Sequence, residues 1–80
     1  MFYTYVLRSK KDSKFYIGST KNLKKRFIEH QKGLVEATLK RRPLKLVYYE
    51  ACLDEKKAQK REKYFKTGYG RRFLKGRIYF

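Results

Sequence analysis

The rhythm of apolar and polar positions changes along this chain of 80 residues and predicts a short series of strands and helices. Phe2 to Arg8 carries aromatic and β-branched residues at both odd and even positions, which reads as a strand partly buried on each face. Ser9 to Ser13 has turn composition and suits a hairpin loop. Phe15 to Gly18 then reads as a second strand, antiparallel to the first. Because side chains alternate, Phe15 and Ile17 share one of its faces and Tyr16 and Gly18 the other. Thr20 and Asn22 are both suitable N-caps for a helix running to about Lys32, with Gly33 as its stop. Leu23, Phe27, His30 and Leu34 form the apolar stripe of that helix, and Arg26 lies at the stripe's edge.

Residues 34–43 form a basic connector, and Leu44 to Glu50 reads as a third strand. Asp54 can cap a second helix over about Glu55–Thr67, with Gly68 ending it. The basic, aromatic tail from Tyr69 to Phe80 is expected to hold one helical turn around Arg72–Lys75 and then an extended end. The order β-β-α-β-α, with one more helix in the tail, is that of an α+β domain: a small three-stranded antiparallel sheet flanked by helices. No repeat, composition shift or Pro/Gly/Ser linker divides the chain, so residues 1–80 are expected to form a single domain.

Charge narrows the partners. Lys and Arg number 23 against 7 acids, a formal net charge of +16, and so large an excess repels itself unless a polyanion is nearby. The expected partner is therefore nucleic acid. Nothing reaches membrane-spanning length and no leader is visible, so no membrane association is expected. Cys52 is the lone cysteine, which excludes an internal disulfide and a thiolate metal cluster and suits a reducing, cytoplasmic setting.

Three places break the packing pattern, and such local failures tend to mark functional sites. Glu62 stands on the core-facing stripe of the second helix, with Ala58 and Phe65 at helical spacing. An acid there must be paired or must bind a cation, and both an i,i+4 pair with Lys66 and a metal are open to it. Arg26 and His30 are an i,i+4 pair beside Leu23 and Phe27, where a guanidinium can clamp a phosphate through two parallel hydrogen bonds or can pair with Glu62. Tyr5 and Tyr16 come opposite or nearly opposite each other if the hairpin turns near residues 10 and 11. Gly18 on the same face would then leave open space beside the Tyr16 ring, where a phosphate could approach.

These residues resemble a known family. Tyr3-Thr4-Tyr5, then Tyr16-Ile17-Gly18, Arg26 and His30 on the next helix, and Glu62 on a later one are similar to the GIY-YIG nuclease superfamily. The Tyr16-Ile17-Gly18-Ser19-Thr20 run and the Arg61-Glu62 pair look most like its small stand-alone bacterial members and the N-terminal domain of the excision-repair incision subunit. The likeness extends from Phe2 to about Arg72. It implies the GIY-YIG endonuclease fold, β-β-α-β-α-α, and Mg2+-dependent (or Mn2+-dependent) hydrolysis of DNA, structured or single-stranded, in repair or processing near the nucleoid. By the same likeness Glu62 would hold the metal, Arg26 would bind the phosphate, and Tyr16 would act as or orient the general base, with Tyr5 and His30 supporting it. Gly18, Ser19, Thr20, Lys24, Lys25 and Arg71 would touch the substrate, and no small-molecule cofactor is implied. Two departures stand out. Tyr3 occupies the place of the family's first glycine, and Thr67-Gly68-Tyr69-Gly70-Arg71 stands where several relatives carry an asparagine. The alternatives are a non-catalytic basic module of the same fold and an RNA-associated protein whose tyrosines stack on bases.

Overall fold

A strand with large apolar residues at both odd and even positions needs cover on both faces, and β1 (Phe2–Ser9) has it at the centre of the sheet. The computed structural model describes residues 1–79. The sheet order is β2-β1-β3, with β2 (Phe15–Thr20) and β3 (Leu44–Cys52) both antiparallel to β1. Helix α1 (Leu23–Gln31) lies on one face, while α2 (Glu55–Phe65) and α3 (Gly68–Ile78) lie on the other. The expected three-stranded antiparallel α+β architecture is what the chain adopts.

Each face has its own core. Tyr5, Leu7 and Leu44 are buried on the α1 side against Leu23, Phe27, Tyr16 and Leu46. Val6, Ile17, Phe65 and Leu74 are buried on the α2–α3 side, with Tyr48 and Phe73 packed against them. The Thr4 hydroxyl donates to the Ala58 carbonyl at 2.9 Å and pins α2 to the central strand. Arg61 ties the same layer to β3, forking onto Glu50 at 2.7 and 3.0 Å while its guanidinium lies 4.5 Å from the Phe65 ring centre. A guanidinium held by a carboxylate and an aromatic face in this way is a strut and has little left for a phosphate.

Three elements differ from the pattern-based expectation. Gly68 does not stop α2: the helix ends at Phe65, Thr67 caps the next helix, and Gly68 opens α3. The tail is accordingly a full helix of 11 residues, not a single turn. Gly70 permits this, because a Cβ there would collide with the Tyr64 carbonyl oxygen, so only glycine lets α3 begin against the end of α2. The extended end falls on Tyr79, and Phe80 lies outside the described residues. The basic connector contains a 3-10 helix, Glu36–Arg41, whose Thr38 is wholly buried.

Candidate active site

The site begins with how α1 is started and stopped. The Asn22 side chain accepts from the Lys25 amide at 3.0 Å, a cap worth about 1 kcal/mol, and Thr20 supports it by accepting from the Asn22 amide. Gly33, at φ 78, ends the helix as expected. Leu34 follows that break and is 70% exposed, so it does not belong to the stripe it was assigned to. Leu23, Phe27 and His30 do.

His30 is completely buried, yet both ring nitrogens are engaged. Nε2 lies 2.9 Å from the Tyr5 hydroxyl and Nδ1 lies 2.7 Å from Thr38 Oγ1. Burial, and secondly the Arg26 charge, hold the imidazole down at about 4, so it is neutral at neutral pH. Burial raises the Tyr5 phenol, partly offset by the neighbouring Arg26 guanidinium, so Tyr5 keeps its proton and can donate it to Nε2. Nδ1–H then donates to Thr38, whose hydroxyl continues toward the Val35 carbonyl at 3.5 Å. Thr38 is the contributor that sequence reasoning missed. Its only signal was a small hydroxyl residue inside a basic connector.

This arrangement carries a pH dependence. The unfolded histidine takes a proton as pH falls through about 6.5, but the folded one resists until about 4. The stabilisation from neutral, buried His30 is thus complete above about pH 6.5 and is lost as pH falls to and below about 4, on the order of 3 kcal/mol in all. Urea titrations between those limits should show the falling midpoint, and His30→Gln should flatten it.

Tyr5 and Tyr16 share a face, as alternation required, and are nearly but not directly opposite each other. Tyr5 pairs with Gly18 and Tyr16 with Leu7, because the hairpin loop is wider than a turn at residues 10 and 11. Ser9 Oγ accepts from the Lys11 and Asp12 amides and Ser13 adopts φ 62, which sets the longer loop. A two-residue shift preserves the face, so the rings become diagonal neighbours with centres 6.5 Å apart. The space at Gly18 is also not open. A Cβ there would sit 2.5 Å from the Tyr5 hydroxyl oxygen, so the glycine makes room for the Tyr5 ring and not for a phosphate. Tyr5 is 1% exposed and only Tyr16 is partly open to solvent. The His30 ring packs edge-on against both, at 5.7 and 5.1 Å.

Arg26 stands beside the Tyr5 hydroxyl and reaches Glu29 at 3.2 Å, leaving further N–H groups for an incoming anion. It is not the partner of Glu62. Glu62 comes from the opposite helical layer and meets the site around the β2 edge, where Ser19 donates to its Oε1 at 2.8 Å and Lys66 to its Oε2 at 2.9 Å. Ser19 is next in the strand to Gly18, the partner of Tyr5 in the sheet, so the carboxylate it holds stands at the edge of the site. Ser19 therefore holds Glu62, and Thr20 holds the start of α1. Lys24 and Lys25 are exposed on α1. Arg71 is not with them: it lines a cleft on the α3 side of the sheet.

The donor set fits a hard divalent cation of modest demands. Among the described residues no three His, Cys, Asp or Glu side chains cluster, so Glu62 would be the one protein carboxylate. Mg2+ accepts that, since it keeps most of its waters and takes substrate oxygens as well. Ser19 fixes one carboxylate oxygen, while the other is capped by a lysine that is 53% exposed and free to swing aside.

Residues 1–75 match the GIY-YIG catalytic domain family. The chain belongs to that family. Small bacterial relatives agree. A UPF0213 protein of Clostridium perfringens is 43% identical over 67 residues, spanning 82% of this chain and 71% of the relative. A UPF0213 protein of Limosilactobacillus reuteri is 43% identical over 68 residues, spanning 81% and 70%. One of Staphylococcus saprophyticus is 39% identical over 66 residues, spanning 81% and 79%. No solved structure matches the chain at a significant level.

Membership in the GIY-YIG family makes this a domain of a nuclease family, with nucleic acid as its substrate class. The three-stranded sheet and its β-β-α-β-α-α order are those expected for a GIY-YIG fold. Among the described residues no helix is long and apolar enough to cross a membrane.

Proposed function

We propose that this GIY-YIG domain is a Mg2+-dependent DNA endonuclease that hydrolyses phosphodiester bonds in structured or single-stranded DNA during repair or processing in the cytoplasm. What supports the reading is that Ser19, next in the strand to the Gly18 that pairs with Tyr5, holds the Glu62 carboxylate at the β2 edge, while Tyr16 and Arg26 flank the Tyr5–His30 pair on the α1 side. Hydrolysis requires a water to attack phosphorus, negative charge to be stabilised on the phosphoryl oxygens, and the leaving oxygen to take a proton. A divalent cation at Glu62 would supply Lewis-acid stabilisation of that charge. Arg26 presents fixed positive charge to the same oxygens. Tyr16, the open phenol, acts as or orients the general base that takes the attacking water's proton, and solvent returns a proton to the leaving oxygen. Tyr5 and His30 transfer no proton to or from the substrate in this scheme. Both are buried and mutually bonded, and they hold Tyr16 and Arg26 in register.

The second reading, a non-catalytic binding module, is favoured by one observation: Lys66 already neutralises the outer oxygen of Glu62. One assay separates the two. Single-stranded, duplex and branched DNA, and RNA, are incubated with the protein with and without Mg2+ (Mn2+ as a substitute). Cut DNA strands that appear only with the metal support the nuclease. Salt-sensitive binding without scission supports the module.

A further inference from the structure

We infer that the domain holds its substrate at a second place, a basic cleft on the α3 side that grips the phosphate backbone of the same strand a few nucleotides from the scissile bond. The inference rests on the nucleic-acid reading above and adds a site to it.

The cleft encloses about 680 Å3 between the β1–β2 loop, the end of the 3-10 helix and α3. Lys14, Arg41, Arg71 and Lys75 converge on it, and Asp12 is the only acid among the described residues that line it. Arg41 takes that acid at 3.1 Å and also donates to the Lys14 and Phe15 carbonyls, so it braces the wall. Lys14, Arg71 and Lys75 have no carboxylate partner among the described residues. Like charges at i and i+4 on α3, with a third across a narrow concavity, repel one another unless an anion lies between them. Phe15 and Tyr79 also line the cleft, stacked 5.9 Å apart, and Tyr79 is 41% exposed. Cations around an aromatic face are the chemistry that holds a single strand, with phosphates on the cations and a base on the ring.

The position ties the cleft to cleavage. β2 is an edge strand; Phe15 and Ile17 face the cleft, whereas Tyr16 and Gly18 face the candidate active site. From Phe15 to Ser19 the strand advances about 13 Å. A polynucleotide following that edge passes from one site to the other within a few nucleotides.

The test measures binding of a fluorescein-labelled single-stranded oligonucleotide, in EDTA, across a salt series. The double variant Arg71→Glu/Lys75→Glu is compared with Lys56→Glu/Lys60→Glu, an equal charge change on the exposed face of α2. Circular dichroism melts establish that both fold. The cleft variant should bind roughly ten- to a hundredfold more weakly, with a salt slope shallower by about 1.4. The control variant should lose far less. Tyr79→Ala should weaken binding without altering the slope. Equal losses in the two double variants, while the wild type binds and cuts, would overturn the cleft alone. A wild type that binds no oligonucleotide would overturn the nucleic-acid reading along with it. Displacement of the oligonucleotide by a polyglutamate peptide at equal charge would reassign the cleft to an acidic polypeptide and so overturn it.

Discussion

Glu62→Ala protein should bind DNA nearly as well as wild type and cut it at least about a thousandfold more slowly, a barrier increase of roughly 4 kcal/mol. The expectation follows from how the carboxylate is held. Ser19 fixes Oε1 at 2.8 Å, so the side chain is set before a metal or substrate arrives. A position that needs no reorganisation at the moment of reaction contributes most to charge stabilisation. Glu62→Gln keeps the Ser19 hydrogen bond and the volume but removes the charge, and it should be nearly as inactive. Lys66→Ala frees Oε2 and should leave cleavage intact or lower the Mg2+ concentration needed for half-maximal rate. If Glu62 were only the i,i+4 partner of Lys66, its loss would cost about 0.3–0.5 kcal/mol of stability and nothing in rate. Single-turnover cleavage across a Mg2+ titration decides it, and undiminished rates in Glu62→Ala would remove Glu62 from the chemistry.

Gly18→Ala should destabilise the domain by roughly 2–3 kcal/mol and disable the site with it. The added Cβ falls 2.5 Å from the Tyr5 hydroxyl oxygen and 2.6 Å from Cζ. The ring has nowhere to go. It is buried, its hydroxyl is 2.9 Å from His30 Nε2, and Arg26 lies beside it. Displacing Tyr5 therefore disturbs His30, and through the His30 ring it disturbs Tyr16. A double-mutant cycle with Tyr5→Ala checks the cause. Removing the ring creates the room, so the second substitution should cost far less than the first, giving strong non-additivity in urea unfolding. Simple addition of the two losses would mean that Gly18 is required for another reason, such as the approach of substrate.

Much of this molecule can be read without coordinates. Alternation along Phe2–Arg8 and Phe15–Gly18 put Tyr5, Tyr16 and Gly18 on one face, and helical spacing put Arg26 and His30 toward it. The same reasoning failed at Gly68, which looks like a helix stop but begins α3, because the chain turns at Lys66 and Thr67 and Gly70 lets the helices touch. Spacing along the chain gave no face for Arg71, which the structure places on the α3 side of the sheet, away from Lys24 and Lys25.

The sequence by itself determined the three strands, the first two helices to within a turn, the side of each strand and the charged character of the surface. These depend on local periodicity and composition, which need no knowledge of distant partners. Only the tertiary structure decided the register of the hairpin, the buried hydrogen bond from His30 to Thr38, and the route by which Glu62 meets the site. Each joins residues of different elements, and their mutual position is set by loop conformation and tertiary packing and not by regular spacing along the chain. The tyrosines thus changed from an open pair into one buried ring and one partly exposed phenol. The glycine between them exists for the buried ring.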